Sequence, residues 1–149
     1  MKKIIVCSDS HGAKDYMSKL FEENSFDFFF FLGDGLQDLG MYDNLPNVHA
    51  VRGNCDFFSV EHSQIMLKVE NQNILATHGN AYSVKWGLGA LIKHANEMNA
   101  DVVLFGHTHQ FFAEKIDNVW FFNPGALKNG SALIIEIDKE NIKYKRILL

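Results

Sequence analysis

The chain of 149 residues contains only two cysteines and two prolines. Cys7 and Cys55 are too few for the disulfide framework of a small secreted domain, and they fit a reducing compartment. The scarcity of proline, with 47% apolar and 21% charged residues, excludes disordered and collagen-like classes. We therefore expect a folded domain that is stabilised by buried apolar side chains.

Long apolar runs and an excess of positive charge are also missing. No stretch reaches the roughly 18 continuous apolar residues of a membrane-spanning helix. Only a short apolar run follows Met1-Lys2-Lys3, so we expect no signal peptide and a cytoplasmic location. The net charge is −4, which does not favour a non-specific nucleic-acid binder, because such proteins are normally basic.

The spacing of the apolar residues predicts many strands and two helices. Segments 14–24 and 87–99 have helical spacing and indicate amphipathic helices. Short apolar or alternating runs predict strands at 4–7, 28–32, 48–51, 64–70, 73–77, 101–105, 111–116, 119–122, 131–137 and 142–148. We predict one α/β domain over residues 1–149 and favour two packed sheets over one mixed sheet, since one small flat sheet rarely holds so many strands.

Side chains that can bind metal follow the ends of five apolar runs. In open α/β sheets, ligands bind beyond the carboxyl ends of the strands. Each loop alone is weak evidence, and only the Gly-His-x-His pair is somewhat specific. As an ordered set they predict a metal site with mixed oxygen and nitrogen ligands, at Asp9-Ser10-His11, Gly33-Asp34, Gly53-Asn54, Thr77-His78-Gly79 and Gly106-His107-Thr108-His109.

The candidate ligands are too numerous for a single metal that keeps an open coordination position. They favour two metals that share one carboxylate, an arrangement used for in-line displacement at phosphorus. The ordered motifs resemble the signature of the calcineurin-like metallophosphoesterase superfamily. A closer resemblance is to its small YfcE-type phosphodiesterases, through Val51 to Asp56, Thr77 to Gly87 and Asn123-Pro124-Gly125.

The resemblance implies a four-layer αββα sandwich, in which helices flank two mixed β-sheets, and a phosphodiesterase reaction. It implies that a hydroxide bridging two divalent metals attacks phosphorus in line. We expect manganese, with iron, zinc, nickel or cobalt as alternatives, and a small phosphate ester as substrate. The implied ligands are Asp9, His11 and His109 for one metal, Asn54, His78 and His107 for the other, and Asp34 as the bridge.

Four residues are candidate substrate contacts, and two of them also have a plainer interpretation. Arg52 also fits a solvated strand end, and Phe57 also fits a core or dimer contact. Tyr82 and Asn54 complete the set. A nucleotide-type substrate and a homodimer are left open.

Two other functions are compatible with the sequence. A phosphomonoesterase or nucleotidase would use the same site. A non-catalytic protein-interaction scaffold of the same fold, like the retromer subunit, would have no reason to keep seven ligands.

Cys55 and Gln37 depart from the larger phosphatases of the superfamily, which carry a His and an Asp that help to protonate the leaving group. We expect weak proton donation here, so esters with acidic leaving groups should be hydrolysed best. A Cys55→His variant should depend less on leaving-group pKa, because an imidazolium can supply the proton. The measurement is kcat/KM across a series of substituted phenyl esters, and equal slopes for variant and wild type would refute the expectation.

Overall fold

Ten strands form two five-stranded mixed sheets in the computed structural model, which describes residues 1–149. The first sheet has the order β10-β9-β1-β2-β3 and contains β1 (Lys2–Cys7), β2 (Phe28–Phe31), β3 (Val48–Ala50), β9 (Ser131–Asp138) and β10 (Asn141–Leu148). The second has the order β4-β5-β6-β8-β7 and contains β4 (Gln64–Val69), β5 (Gln72–Thr77), β6 (Val102–Leu104), β7 (Phe111–Ile116) and β8 (Val119–Pro124).

Each sheet has three neighbouring parallel strands, and its other strands pair antiparallel with them or with each other. Strands β1, β2 and β3 run parallel in the first sheet. Strands β5, β6 and β8 run parallel in the second. The carboxyl ends of neighbouring parallel strands lie at one edge of a sheet, so the loops that follow them come together there.

Two α-helices cover the outer faces of the sheets. Helix α1 (Lys14–Glu23) buries Met17 and Leu20 in an apolar cluster with β1 and β2 of the first sheet. Helix α2 (Gly89–Glu97) buries Leu91 and Ala95 in a cluster with the second sheet. A third cluster of 14 buried residues lies between the sheets. The predicted four-layer αββα sandwich is confirmed.

The side chains of the Phe28–Phe31 run pack on both faces of strand β2. Alternate side chains of a strand point to opposite faces. Phe30 therefore packs in the cluster between the sheets, whereas Phe29 and Phe31 pack toward α1. All three are at most 1% exposed, so the strand is buried on both faces, as its continuous apolar sequence predicts.

The structure also contains elements that the apolar pattern does not predict. Four 3₁₀ segments lie at Leu36–Asn44, Asn80–Tyr82, Val84–Trp86 and Leu127–Asn129. Three of them are three residues long, too short to show a helical period. Helix α2 begins at Gly89, two residues later than predicted, because Gly87, with φ 136° and ψ 169°, is not in a helical conformation. Neither α-helix has the length and apolar character that crossing a membrane requires.

Two histidines outside the motifs, His49 and His94, lie beside aromatic rings. The ring of His49 lies 5.4 Å from that of Phe30 and 6.1 Å from that of Phe28. Burial lowers the pKa of His49, which favours the neutral imidazole. His94 packs its ring on Tyr82, with 4.7 Å between the ring centroids.

Removing the Phe30 side chain should destabilise the protein strongly, because it fills the space between the two sheets. We expect Phe30→Ala to lower the free energy of unfolding by about 3–5 kcal/mol. Leu148→Ala is the control, since Leu148 is 72% exposed. Its effect should stay within about 0.5 kcal/mol in urea unfolding. Similar losses for the two variants would contradict this description of the core.

Candidate metal centre

Five loops bring the predicted ligands to the carboxyl ends of the parallel strands. In the first sheet, Asp9 and His11 follow β1, Asp34 follows β2 and Asn54 follows β3. In the second sheet, a single His follows β5 and two follow β6, namely His78, His107 and His109. Each sheet thus supplies part of the ligand set.

The first group of ligands consists of Asp9, His11 and His109, whose ligand atoms all lie within 4.8 Å of one another. Asp9 Oδ1 lies 3.2 Å from His109 Nε2 and 3.7 Å from His11 Nε2. The group spans both sheets, because His109 comes from the second. Its members are those implied for one metal.

The second group consists of Asp34, His78 and His107, whose ligand atoms also lie within 4.8 Å of one another. His78 Nε2 is 3.3 Å from Asp34 Oδ2 and 3.2 Å from His107 Nδ1. The other nitrogen of His78, Nδ1, lies 2.7 Å from the Leu32 carbonyl oxygen. That contact fixes the ring so that Nε2 points into the group, as is typical of histidines that bind metal.

Asp34 connects the two groups. Its Oδ2 atom lies 3.3 Å from His78 Nε2 and 3.8 Å from His11 Nε2. The other oxygen, Oδ1, accepts a hydrogen bond of 2.7 Å from the Cys55 backbone N–H. The carboxylate is therefore held by the protein through one oxygen and presents the other to histidines of both groups.

Asp9 provides the test of whether these residues fit a metal ion. Its side chain is fully buried, and its Oδ2 accepts hydrogen bonds from Ser8 Oγ and the His107 backbone N–H, at 2.7 and 3.0 Å. Its Oδ1 accepts none, although it faces three histidines. A buried carboxylate oxygen without a partner is costly. The donor set of carboxylates and imidazoles fits divalent cations, which would satisfy that oxygen.

The pKa values of Asp34 and His78 are shifted by burial and by the hydrogen bonds and charges of their neighbours. Burial by itself would raise the pKa of Asp34, but hydrogen bonds from His78 and Cys55 and the charge of His78 lower it to about 2. Burial would lower the pKa of His78, but its hydrogen bond to Asp34 and the charges of both carboxylates raise it instead. The carboxylates thus attract a proton to this histidine, and a cation would compete for the same place.

Five of the seven predicted ligands have left-handed backbones, although none is glycine. The φ angles are 55° for Asp9, 41° for His11, 63° for Asp34, 70° for His107 and 65° for His109. This conformation is disfavoured for side chains with a Cβ atom, although Asp and His adopt it more readily than most. Such strain is concentrated at functional sites, where the surrounding structure enforces it.

The sequence profile of the calcineurin-like phosphoesterase superfamily domain matches residues 1–140. The chain belongs to this superfamily. Two curated relatives are each 29% identical to it. One is a probable metallophosphoesterase, YsnB, of Bacillus subtilis, with 84% of this chain and 75% of the relative covered. The other is the phosphodiesterase YfcE of Escherichia coli, with 85% and 80% covered.

Solved structures of superfamily members and related folds are also similar. A predicted phosphoesterase from Streptococcus pneumoniae superposes with a TM-score of 0.88 at 25% identity, covering 99% of this chain and 89% of that one. A Vps29 from Entamoeba histolytica, solved with zinc, gives 0.77 at 18% identity, covering 98% of each chain. The second likeness is one of fold alone.

Asp56 positions the loops of this phosphoesterase domain, a role that the sequence motif did not reveal. Its carboxylate accepts hydrogen bonds from four backbone N–H groups, at distances between 2.7 and 3.0 Å, those of Asp34, Gly35, Leu36 and Gly53. The loops after β2 and β3 are thereby tied to one side chain. A Cβ atom at Gly53 would collide with the Asp34 carboxylate, so glycine is required there.

Asp38 and Asn123 fix two further loops. Asp38 Oδ2 accepts hydrogen bonds from Ser10 Oγ and the Gly12 N–H, at 2.6 and 2.8 Å, and so holds the loop after β1. Asn123 donates to the Gly106 carbonyl oxygen and to Thr108 Oγ1, at 3.1 and 3.0 Å, and so holds the loop after β6. Asn123 belongs to the Asn123-Pro124-Gly125 motif that supports the family resemblance, whereas Asp38 belongs to none of the motifs in the sequence.

The other predicted site residues lie around the two groups. Asn54 is exposed and its amide nitrogen contacts Cys55 Sγ at 3.5 Å. Arg52 is exposed and its Nη1 lies 3.4 Å from the Glu61 carbonyl oxygen. Phe57 is 78% exposed, which does not fit its alternative role as a core residue. Tyr82 is half-buried and donates a hydrogen bond of 2.8 Å to Gln64.

Cys55 lies beside the second group without belonging to it. Partial burial and the negative charges of Asp34, Asp56 and Asp9 raise the pKa of its thiol. The neutral thiol is therefore favoured, which makes Cys55 a poor nucleophile. Cys7 is buried, and its sulfur lies 4.0 Å from that of Met17.

Replacing Asp56 with Asn should weaken metal binding without removing a ligand. The amide would present hydrogens to backbone N–H groups, so the loops carrying Asp34 and Asn54 should loosen. We expect metal affinity to fall about 10- to 100-fold. The measurement is a metal titration of the purified apoprotein. Asp43→Asn, which removes one exposed carboxylate nearby, is the control, and an equal loss in that variant would contradict the role of Asp56.

Proposed function

We propose that the chain is a dinuclear metal-dependent phosphoesterase that prefers phosphodiesters. The observation that carries the proposal is the pair of ligand groups, connected by an Asp34 oxygen that faces a histidine of each, together with the unpartnered oxygen of buried Asp9. A site for a single metal would need neither a second ligand group nor a carboxylate oxygen that faces histidines of both groups.

The proposal assigns each ligand a role. Asp34 bridges the two sites, and the remaining ligands divide as Asp9, His11 and His109 at one site and Asn54, His78 and His107 at the other. Divalent ions bound there would acidify water and neutralise the negative charge that develops on a phosphate during displacement. We propose manganese as the metal, with iron, zinc, nickel or cobalt as alternatives.

The protein's own groups keep the ligands in place. The Ser8 hydroxyl and the His107 N–H hold Asp9 through Oδ2, and the Leu32 carbonyl oxygen holds His78 through Nδ1. Ligands fixed in this way need little reorganisation before reaction, which is the usual source of electrostatic catalysis. Arg52 and Asn54 stand at the open side, where Arg52 would contact a phosphate oxygen of the substrate. Tyr82 and Phe57 would contact its substituents.

The preference for diesters is supported by similarity, whereas the preference for a good leaving group is supported by chemistry. Cys55 and Gln37 stand where the larger phosphatases have groups that protonate the leaving group, so a good leaving group is needed. A phosphodiesterase, YfcE of Escherichia coli, is 29% identical over 85% of this chain. A phosphomonoesterase or nucleotidase with the same site is the second enzymatic candidate.

A scaffold function is the alternative from another class, and the fold shared with Vps29 is compatible with it. The Entamoeba histolytica Vps29 was solved with zinc, and metal content alone does not establish hydrolysis. Hydrolysis therefore distinguishes the candidates, whereas metal content does not.

The test is hydrolysis of bis-p-nitrophenyl phosphate with manganese, alongside p-nitrophenyl phosphate. We expect turnover of the diester to exceed that of the monoester and to stop when the metal is chelated. Asp34→Asn should lower kcat/KM more than about 100-fold, because even residues behind the ligands cost about 10- to 100-fold.

Asp138→Asn makes the same substitution at an exposed strand end and should be unaffected. A metal-loaded wild type that is inert toward mono- and diesters alike would overturn the enzymatic proposal and favour the scaffold.

A further inference from the structure

A cavity of about 520 Å³ opens beside the metal centre. It reaches the ligand set at Asn54 and at Thr77, the residue before His78. We call it the polar cavity, because its wall carries side chains that can form hydrogen bonds, including Arg52, Asn54, Ser63, Gln64, Asn80 and Tyr82.

Gln64, the first residue of β4, is held in place at this wall by two other elements. Its Oε1 accepts a hydrogen bond of 2.8 Å from the Tyr82 hydroxyl, and His94 Nε2 lies 3.0 Å from the same oxygen. The rings of Tyr82 and His94 stack at 4.7 Å with an angle of 23° between them. The orientation of the Gln64 amide is therefore set by a 3₁₀ turn and by helix α2.

This arrangement leaves the other end of the amide without a partner. Both contacts use Oε1, and no hydrogen bond within the protein uses Gln64 Nε2. The amide carries two N–H donors. A fixed donor group in the wall of a cavity can select a ligand that carries an acceptor, because a ligand without one leaves the donor unpaired.

A second cavity of about 670 Å³ meets the metal centre at His11 and Asp34. It shares Asp56, Phe58 and Ser59 with the polar cavity, so one loop contributes to the walls of both. A phosphodiester carries two substituents on one phosphorus, and two cavities that reach one metal centre provide a place for each. A monoester would fill one of them.

We propose that the polar cavity binds the polar substituent of a phosphodiester and that Gln64 determines specificity by donating a hydrogen bond to an acceptor atom on it. The inference rests on the proposed function, since the phosphate must lie at the metal centre for a substituent to enter the cavity. The class of substituent is one rich in carbonyl and hydroxyl oxygens, such as a nucleoside.

The test compares two substrates that release the same leaving group. Thymidine 5′-monophosphate p-nitrophenyl ester carries a nucleoside, and p-nitrophenyl phenylphosphonate carries a phenyl ring without an acceptor. We expect Gln64→Leu to lower kcat/KM about tenfold for the thymidine ester, the usual effect of one lost hydrogen bond, and to leave the phenylphosphonate unchanged. Equal losses on both substrates, or no loss on either, would overturn the inference.

Matched variants separate specificity from folding. Gln72→Leu makes the same change at the other end of the β4–β5 hairpin and should leave the ratio of the two substrates unaltered. His94→Phe keeps a ring that can stack on Tyr82 but removes the Nε2 atom that contacts Gln64 Oε1, so it should change the ratio in the same direction by a smaller factor. This variant replaces Gln64→Leu in the comparison of the two substrates if Gln64→Leu does not fold.

A binding measurement distinguishes failure of this inference from failure of the proposed function. Thymidine 5′-monophosphate is titrated calorimetrically into the manganese-loaded wild type and the Gln64→Leu variant, and we expect the variant to bind about tenfold more weakly. Weaker binding by the variant, with a wild type that hydrolyses neither ester, would support the cavity and reject the enzyme. Equal binding would reject the role of Gln64 whether or not hydrolysis occurs.

Discussion

The charge of two buried carboxylates is the constraint on which the site depends. Asp9 is fully buried and Asp34 is 3% exposed. Carboxylates at this depth are tolerated when hydrogen bonds and opposite charges surround them. The protein meets that need in part, through backbone N–H groups, Ser8 and the histidines. The Asp9 oxygen that is left over faces the place where the two sheets contribute their ligands.

Each ligand group joins the two sheets. Asp9, His11 and Asp34 come from the first sheet, whereas His78, His107 and His109 come from the second. A cation in either group would therefore add a link between layers that already meet through the apolar side chains between them and through the contacts of Leu32 with His78 and of Asp9 with His107. Because metal that binds only the folded state stabilises it, stability and metal availability are coupled in such an architecture.

The sequence predicts the strands and the ligand loops because both are local signals. The apolar runs before Asp9 and Asp34 end abruptly in loops with polar side chains, and parallel pairing then places those loops together. The functions of Asp56 and Asp38 could not be predicted in this way. Asp56 binds the N–H groups of Gly35 and Leu36, 21 and 20 residues earlier in the chain, and only the folded loops bring them within reach. The Gln64–Tyr82–His94 contacts depend on three separate elements for the same reason.

Five of the predicted ligands have left-handed backbones, a conformation that glycine adopts with less strain than Asp or His. At Asp9, His11, Asp34, His107 and His109, a mutation to glycine would remove a proposed metal ligand and relieve backbone strain at the same time. The relief of backbone strain would thus offset part of the stability that is lost with the metal, and the two sheets would remain folded. A single substitution to glycine at one of these positions should therefore cost the protein less stability than removal of a ligand with an ordinary backbone conformation.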